Sequence, residues 1–197
     1  MRCRVGPVFL SPEMFSALRF LISPWRLRFM RRYANPAITE LRERLDQFAS
    51  PQGRLFVTTL LNANAEFLAH AFSSSGALGA MRERMTVPAV RACLASMLIY
   101  SVNLFARTEM AEDGGELVRL LSRTLGVEQT AVMIRRDALR KTPRSEEWLL
   151  YTWLLKDLGA PAPSFDAAVE QAFGYQYLSY IGQYKTILEK NVPGGDR

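Results

Sequence analysis

The sequence is poor in the residues that most often announce chemistry: it has two cysteines, Cys3 and Cys93, and a single histidine, His70. Two cysteines so far apart support neither a disulfide framework nor a cysteine-based metal site. No Gly-x-Ser-x-Gly elbow, no Gly-x-x-x-x-Gly-Lys-[Ser/Thr] loop and no Gly-x-Gly-x-x-Gly fingerprint is present, so hydrolysis by a nucleophile and phosphate binding have no motif behind them. The short "GALGA" at Gly76 has no strand ahead of it. Period-two alternation with β-branched enrichment is missing as well. The fold class that remains is all-α.

Acidic residues are nearly absent from the first 36 positions, where Glu13 stands alone against Arg2, Arg4, Arg19, Arg26, Arg28, Arg31 and Arg32. The rest of the chain holds 18 of the 25 basic and 18 of the 19 acidic residues. The net charge of +6 and the isoelectric point near 9.6 therefore come entirely from the N-terminal segment. A neutral body argues against nucleic acid as a partner, because phosphate neutralisation needs an excess of Lys and Arg. The densest basic run, "IRRDALRKTPR", is offset by acidic neighbours and reads as a solvated face or a contact for an acidic partner.

Long apolar runs are also scarce. A membrane-crossing helix needs about 20 mainly apolar residues. The best candidate, from Val87 to Ala106, contains Arg91, Ser96, Ser101 and Asn103, which suits a buried core helix better. A mean hydropathy of −0.03 fits a soluble or peripheral protein. The start of the chain is too broken by Pro12 and Glu13 for a secretory signal.

What is present at the N-terminus is arginine, aromatic rings and hydroxyls. "PEMFSALRFLI" places Phe15, Leu18 and Ile22 at helical spacing, and "LISPWRLRFMRRYANP" intersperses Trp25, Phe29 and Tyr33 with arginines. An Arg-rich, acid-poor, amphipathic leader has the make-up of an organellar transit peptide. "RRYA" resembles the processing site of mitochondrial presequences: Arg31, Arg32 and Tyr33 would precede a cut before Ala34. The segment is expected to be a mitochondrial address or a retained arm. As an arm it would use Arg19, Trp25, Arg26, Arg28, Arg31 and Arg32 on an anionic membrane or a partner. A bacterial protein of the cytoplasm or the membrane periphery is the alternative source.

The body reads as about seven or eight helices packed as antiparallel hairpins, in a bundle or a short solenoid. The expected division is 1–33 for the basic segment, 34–191 for one helical domain and 192–197 for a tail. Asn35–Pro36, Ser50–Pro51, Asp113 with Glu116, Ser145 and Ser164 are expected helix starts, with Gly126 and Gly159 as stops. No tetratricopeptide signature surrounds Trp148 or Trp153.

Two features merit a functional reading. Glu66 and His70 stand one helical turn apart and could begin a polar or metal site, but no third ligand is nominated. "FGYQYLSYIGQY" puts Tyr177, Tyr180 and Tyr184 on one helical face, either packing or meeting a partner, with Gly174 and Gly182 permitting close approach. No catalytic residue, cofactor or metal is expected. The reading that results is a non-enzymatic accessory subunit of a mitochondrial complex, respiratory or ATP synthase, bound to other protein subunits. A transient assembly factor or adaptor is the first alternative. An enzyme or ligand-binding protein built on Glu66 and His70 is the second.

Overall fold

The computed structural model describes residues 23–74, 76–105 and 115–192, all helix, turn or irregular chain. The helices are α1 (Pro24–Phe29), α2 (Asn35–Asp46), α3 (Pro51–Ala71), α4 (Ala77–Ala80), α5 (Val87–Phe105), α6 (Glu116–Leu125), α7 (Gln129–Lys141), α8 (Glu146–Asp157), α9 (Ala167–Gly182) and α10 (Lys185–Lys190). A π-helical segment, Met30–Ala34, joins α1 to α2, and a 3-10 turn, Met81–Arg84, follows α4.

The all-α expectation is met, and the arrangement is a bundle. The apolar α5 packs against α2, α3, α7 and α8, elements far apart in sequence. A solenoid would give each helix only its sequence neighbours. α5 has the length and composition to cross a membrane. Here it is the central helix, burying Val90, Leu94, Met97, Leu98 and Val102.

Capping explains several boundaries. The Ser50 hydroxyl accepts from Gly53 N–H at 3.1 Å and that of Ser145 from Trp148 N–H at 3.1 Å. Gly126, at φ 66°, and Gly159, at φ 74°, adopt the left-handed conformation that ends a helix at little cost to glycine. Arg44 adds a C-terminal cap to α6, donating from Nη1 to the Leu125 carbonyl at 3.1 Å.

Three expected features differ. α9 starts at Asp166, whose carboxylate accepts from Ala168 and Val169 N–H at 2.9 and 3.2 Å, so the carboxylate outcompetes Ser164. The last helix, expected to run unbroken from about Phe165 to Lys190, is broken at Gln183–Tyr184 into α9 and α10. The cap expected at Asn35 is absent, because Asn35 is already helical at φ −59° and ψ −45°. The proline after it explains the π segment. Pro36 has no N–H to donate and its ring would crowd the turn before it. One wide turn, in which Asn35 N–H reaches back to the Met30 carbonyl, makes room for the ring inside a continuous rod. Asp113 lies outside the described residues, and α6 itself begins behind Gly115 with no side-chain cap.

That rod moves the beginning of the body. Phe29 and Ala34 are both fully buried, and Phe29 packs on Phe72 with ring centroids 5.6 Å apart. The core therefore reaches back past Ala34, the expected first residue of the domain, into α1.

Candidate functional surfaces

Residues singled out in the N-terminal segment separate into two groups. Arg28, Arg31 and Arg32 are exposed and Arg26 is half-buried, and none of them forms an ion pair among the described residues. Their helical spacing makes one solvent-facing basic strip. Trp25 instead turns toward the body, 6.4 Å from Phe29 and beneath the Arg82 guanidinium at 5.3 Å. Its Nε1 is buried without a hydrogen-bond partner among the described residues. Arg19 lies outside the described residues.

The tyrosine face divides as well. Tyr177 is fully buried, Tyr180 is half-buried against His70 at 5.5 Å, and the half-buried Tyr184 donates to Glu66 Oε2 at 3.0 Å. These three rings look into the bundle. The pair at the centre of the ligand-binding alternative is thus occupied by α9 and the turn that follows it. Among the described residues no group of three His, Cys, Asp or Glu is placed to hold a metal ion.

Around Tyr177 sits the polar centre of the fold. Its hydroxyl lies 2.9 Å from Asn64 Oδ1 and 2.6 Å from Ser101 Oγ, and Asn64 Nδ2 donates to Ser101 Oγ at 3.2 Å. These side chains come from α3, α5 and α9, so the triangle sets the register of three helices. Aromatic edges enclose it: Phe67 meets Tyr177 at 5.0 Å and 90°, and Tyr100 meets it at 5.3 Å and 72°. Tyr100 in turn donates to Glu147 Oε1 at 2.7 Å. Burial raises the pKa of Tyr177, partly opposed by its hydrogen bond to Ser101. Tyr100 is raised by burial first and then by Glu147. Both hydroxyls stay protonated and act as donors.

A second polar group joins α5, α7 and α8. Ser96 donates to Asp157 Oδ2 at 2.6 Å and accepts from Arg135 Nη1 at 2.7 Å, while the Arg135 guanidinium lies 5.6 Å from the Trp153 ring centroid. Burial raises the Asp157 pKa, with Ser96 and Arg135 opposing. The adjacent Cys93 is raised by burial and then by Asp157, which keeps it a thiol and chemically quiet.

With the tyrosines turned inward, the outward side of α9 carries different residues. Gln171, Ala172, Tyr175, Leu178, Ser179 and Gly182 are exposed, Tyr175 by 78% and Leu178 by 41%. From Gln171 through Tyr184 no residue is charged. The two glycines of α9 have different reasons. A Cβ on Gly174 would come within 3.1 Å of Glu147 Cγ, so a side chain there would push the Glu147 side chain of α8 aside by a few tenths of an ångström. A Cβ on Gly182 would meet nothing within 4 Å.

Sequence reasoning did not link Asn64 to Tyr177, and it passed over Ser101, Ser96 and Asp157 as members of networks. A signal existed: Asn64 falls at core spacing between Leu60, Leu61 and Phe67, Leu68, and both serines interrupt the most apolar helix. A polar residue at such a position needs a buried partner. Comparison of the chain with protein-family models, curated proteins and solved structures gives no match.

Proposed function

We propose that the chain is a non-enzymatic helical accessory subunit of a mitochondrial multiprotein complex, respiratory or ATP synthase, held in place by helix-to-helix contact. The observation that carries this reading is the outer side of α9, a solvent-facing helix with exposed Tyr175 and Leu178 and no charge from Gln171 through Tyr184. Isolated exposed apolar residues are ordinary, but exposed surfaces depleted of charge and carrying aromatic rings are what protein interfaces are made of. The occupant that fits is an uncharged helix of a neighbouring subunit.

The leader upstream of Pro24, with Arg2, Arg4 and Arg19 against Glu13 alone, supplies the mitochondrial part of the proposal. Because Phe29 belongs to the core, we put the proposed address upstream of Pro24 rather than ending it at Tyr33. The basic strip of Arg28, Arg31 and Arg32 then stays with the folded protein and suits contact with an anionic membrane surface.

Native size-exclusion of mitochondrial extract tests the proposal. A subunit runs almost wholly with a large complex. A substantial free pool would instead indicate a transient assembly factor or adaptor. Sequencing the native N-terminus addresses the address separately: a start upstream of Pro24 is expected, and a start at Ala34 would contradict that placement.

A further inference from the structure

On a part of the bundle to which α9 contributes nothing, a cavity of about 300 Å³ opens between α2, α5 and α7. It exists because three residues bordering it, Ala92 and Ala95 of α5 and Ala131 of α7, are too small to close the gap between helices. Leu41 and Ile99, almost wholly buried, supply apolar wall deeper in. Leu125, Val127 and Pro88 complete that wall.

The polar part of the lining has one sign. Arg91 and Arg135 border the cavity, and among the described residues no acidic one does. Both guanidiniums are held in place from the side: Arg91 pairs with Glu40, and Arg135 donates to Ser96 Oγ at 2.7 Å and lies near the Trp153 ring. A guanidinium has five N–H donors in a rigid fork, so one bond through Nη1 fixes each group and leaves donors for a further anion. Glu40 and Asp157, which balance these charges, stand outside the lining.

An apolar chamber with positioned cations and, among the described residues, no hydroxyl, amide or carboxylate side chain in its lining selects an amphiphilic anion. Sugars and nucleotides would lose hydrogen bonds there, and a plain hydrocarbon would leave the cations unused. The volume sits at the lower end of ligand pockets, roughly 300–1,000 Å³, which favours a short or medium chain over a long one. We propose that this cavity binds the carboxylate of a short- to medium-chain aliphatic acid, with the chain between the alanines and the carboxylate against Arg91 and Arg135. This site is independent of the α9 surface.

Isothermal titration of the full-length protein with octanoate, and separately with 1-octanol, tests it. Saturable one-site binding of octanoate, at least about tenfold tighter than octanol, is expected from a charge-assisted contact. Arg135→Gln should weaken octanoate by about tenfold and leave octanol unchanged. Ala131→Leu, an exposed position that can accept the larger side chain without disturbing the core, should block both ligands. Arg140→Gln on the same helix should change neither. Absence of saturable octanoate binding would overturn the proposal. So would equal affinity for octanol, or wild-type binding in folded Ala131→Leu protein.

Discussion

α1 and α9 look alike in sequence, each a helix crowded with aromatic rings, and the fold treats their inner sides alike while leaving opposite chemistries outside. α1 buries Phe29 and presents Arg28, with Arg31 and Arg32 following in the π segment. α9 buries Phe173, Tyr177 and Ile181 and presents Tyr175, Leu178 and Gly182. The aromatics that drew attention in both stretches are mostly packing residues. The proposed function lies in what remains outside: a basic strip, with the exposed Leu27 beside it, at one helix and an uncharged one at the other.

The largest effects should fall on the shared inner sides. Phe29→Ala should destabilise the protein by about 3–5 kcal/mol, the usual cost of emptying a buried phenylalanine site. A urea melt measures this, and a loss below about 1 kcal/mol would return α1 to the status of a detachable arm. Tyr177→Phe keeps the ring but strips Asn64 and Ser101 of a partner, and should cost about 1–3 kcal/mol in the same assay. A neutral result would mean that the buried triangle does not set helix register.

Smaller effects should separate the outer sides. Gly182→Ala should stabilise the isolated protein by up to about 0.5 kcal/mol through helix propensity, while Gly174→Ala should lose that gain against Glu147. Thermal melts of the two variants check this, and equal shifts would contradict the different roles of the glycines. Replacing Arg28, Arg31 and Arg32 together by Gln should leave stability within about 0.5 kcal/mol. The same variant should lose retention on anionic vesicles, since each arginine near such a surface contributes roughly 1 kcal/mol. Undiminished vesicle binding would show that the strip has no such role.

Most helix positions were legible in the sequence because they depend on local chemistry. Ser50, Ser145, Gly126 and Gly159 act on backbone groups a few residues away, and their roles can be read without knowing the fold. Asn35–Pro36 misled for a tertiary reason. The pair has the form of a helix start, but the burial of Phe29 and the packing of the half-buried Trp25 upstream favour carrying the helix through and absorbing Pro36 in a π turn. The tyrosine series showed the same limit. Helical spacing put Tyr177, Tyr180 and Tyr184 on one side, but only the positions of α3 and α5 decide that this side faces inward. The cavity beside α5 was invisible in sequence, because Ala92, Ala95 and Ala131 look like ordinary helix residues until three helices bring them together.

The central claim, that the uncharged side of α9 holds the chain in a larger assembly, is tested most directly by native sizing of mitochondrial extracts. Wild-type protein is compared with a Tyr175→Lys, Leu178→Glu variant of unchanged thermal stability. The account predicts wild-type protein in a high-mass fraction and the variant displaced to the monomer position. Co-migration of the variant with the large complex, or wild-type protein running as a monomer, would contradict it.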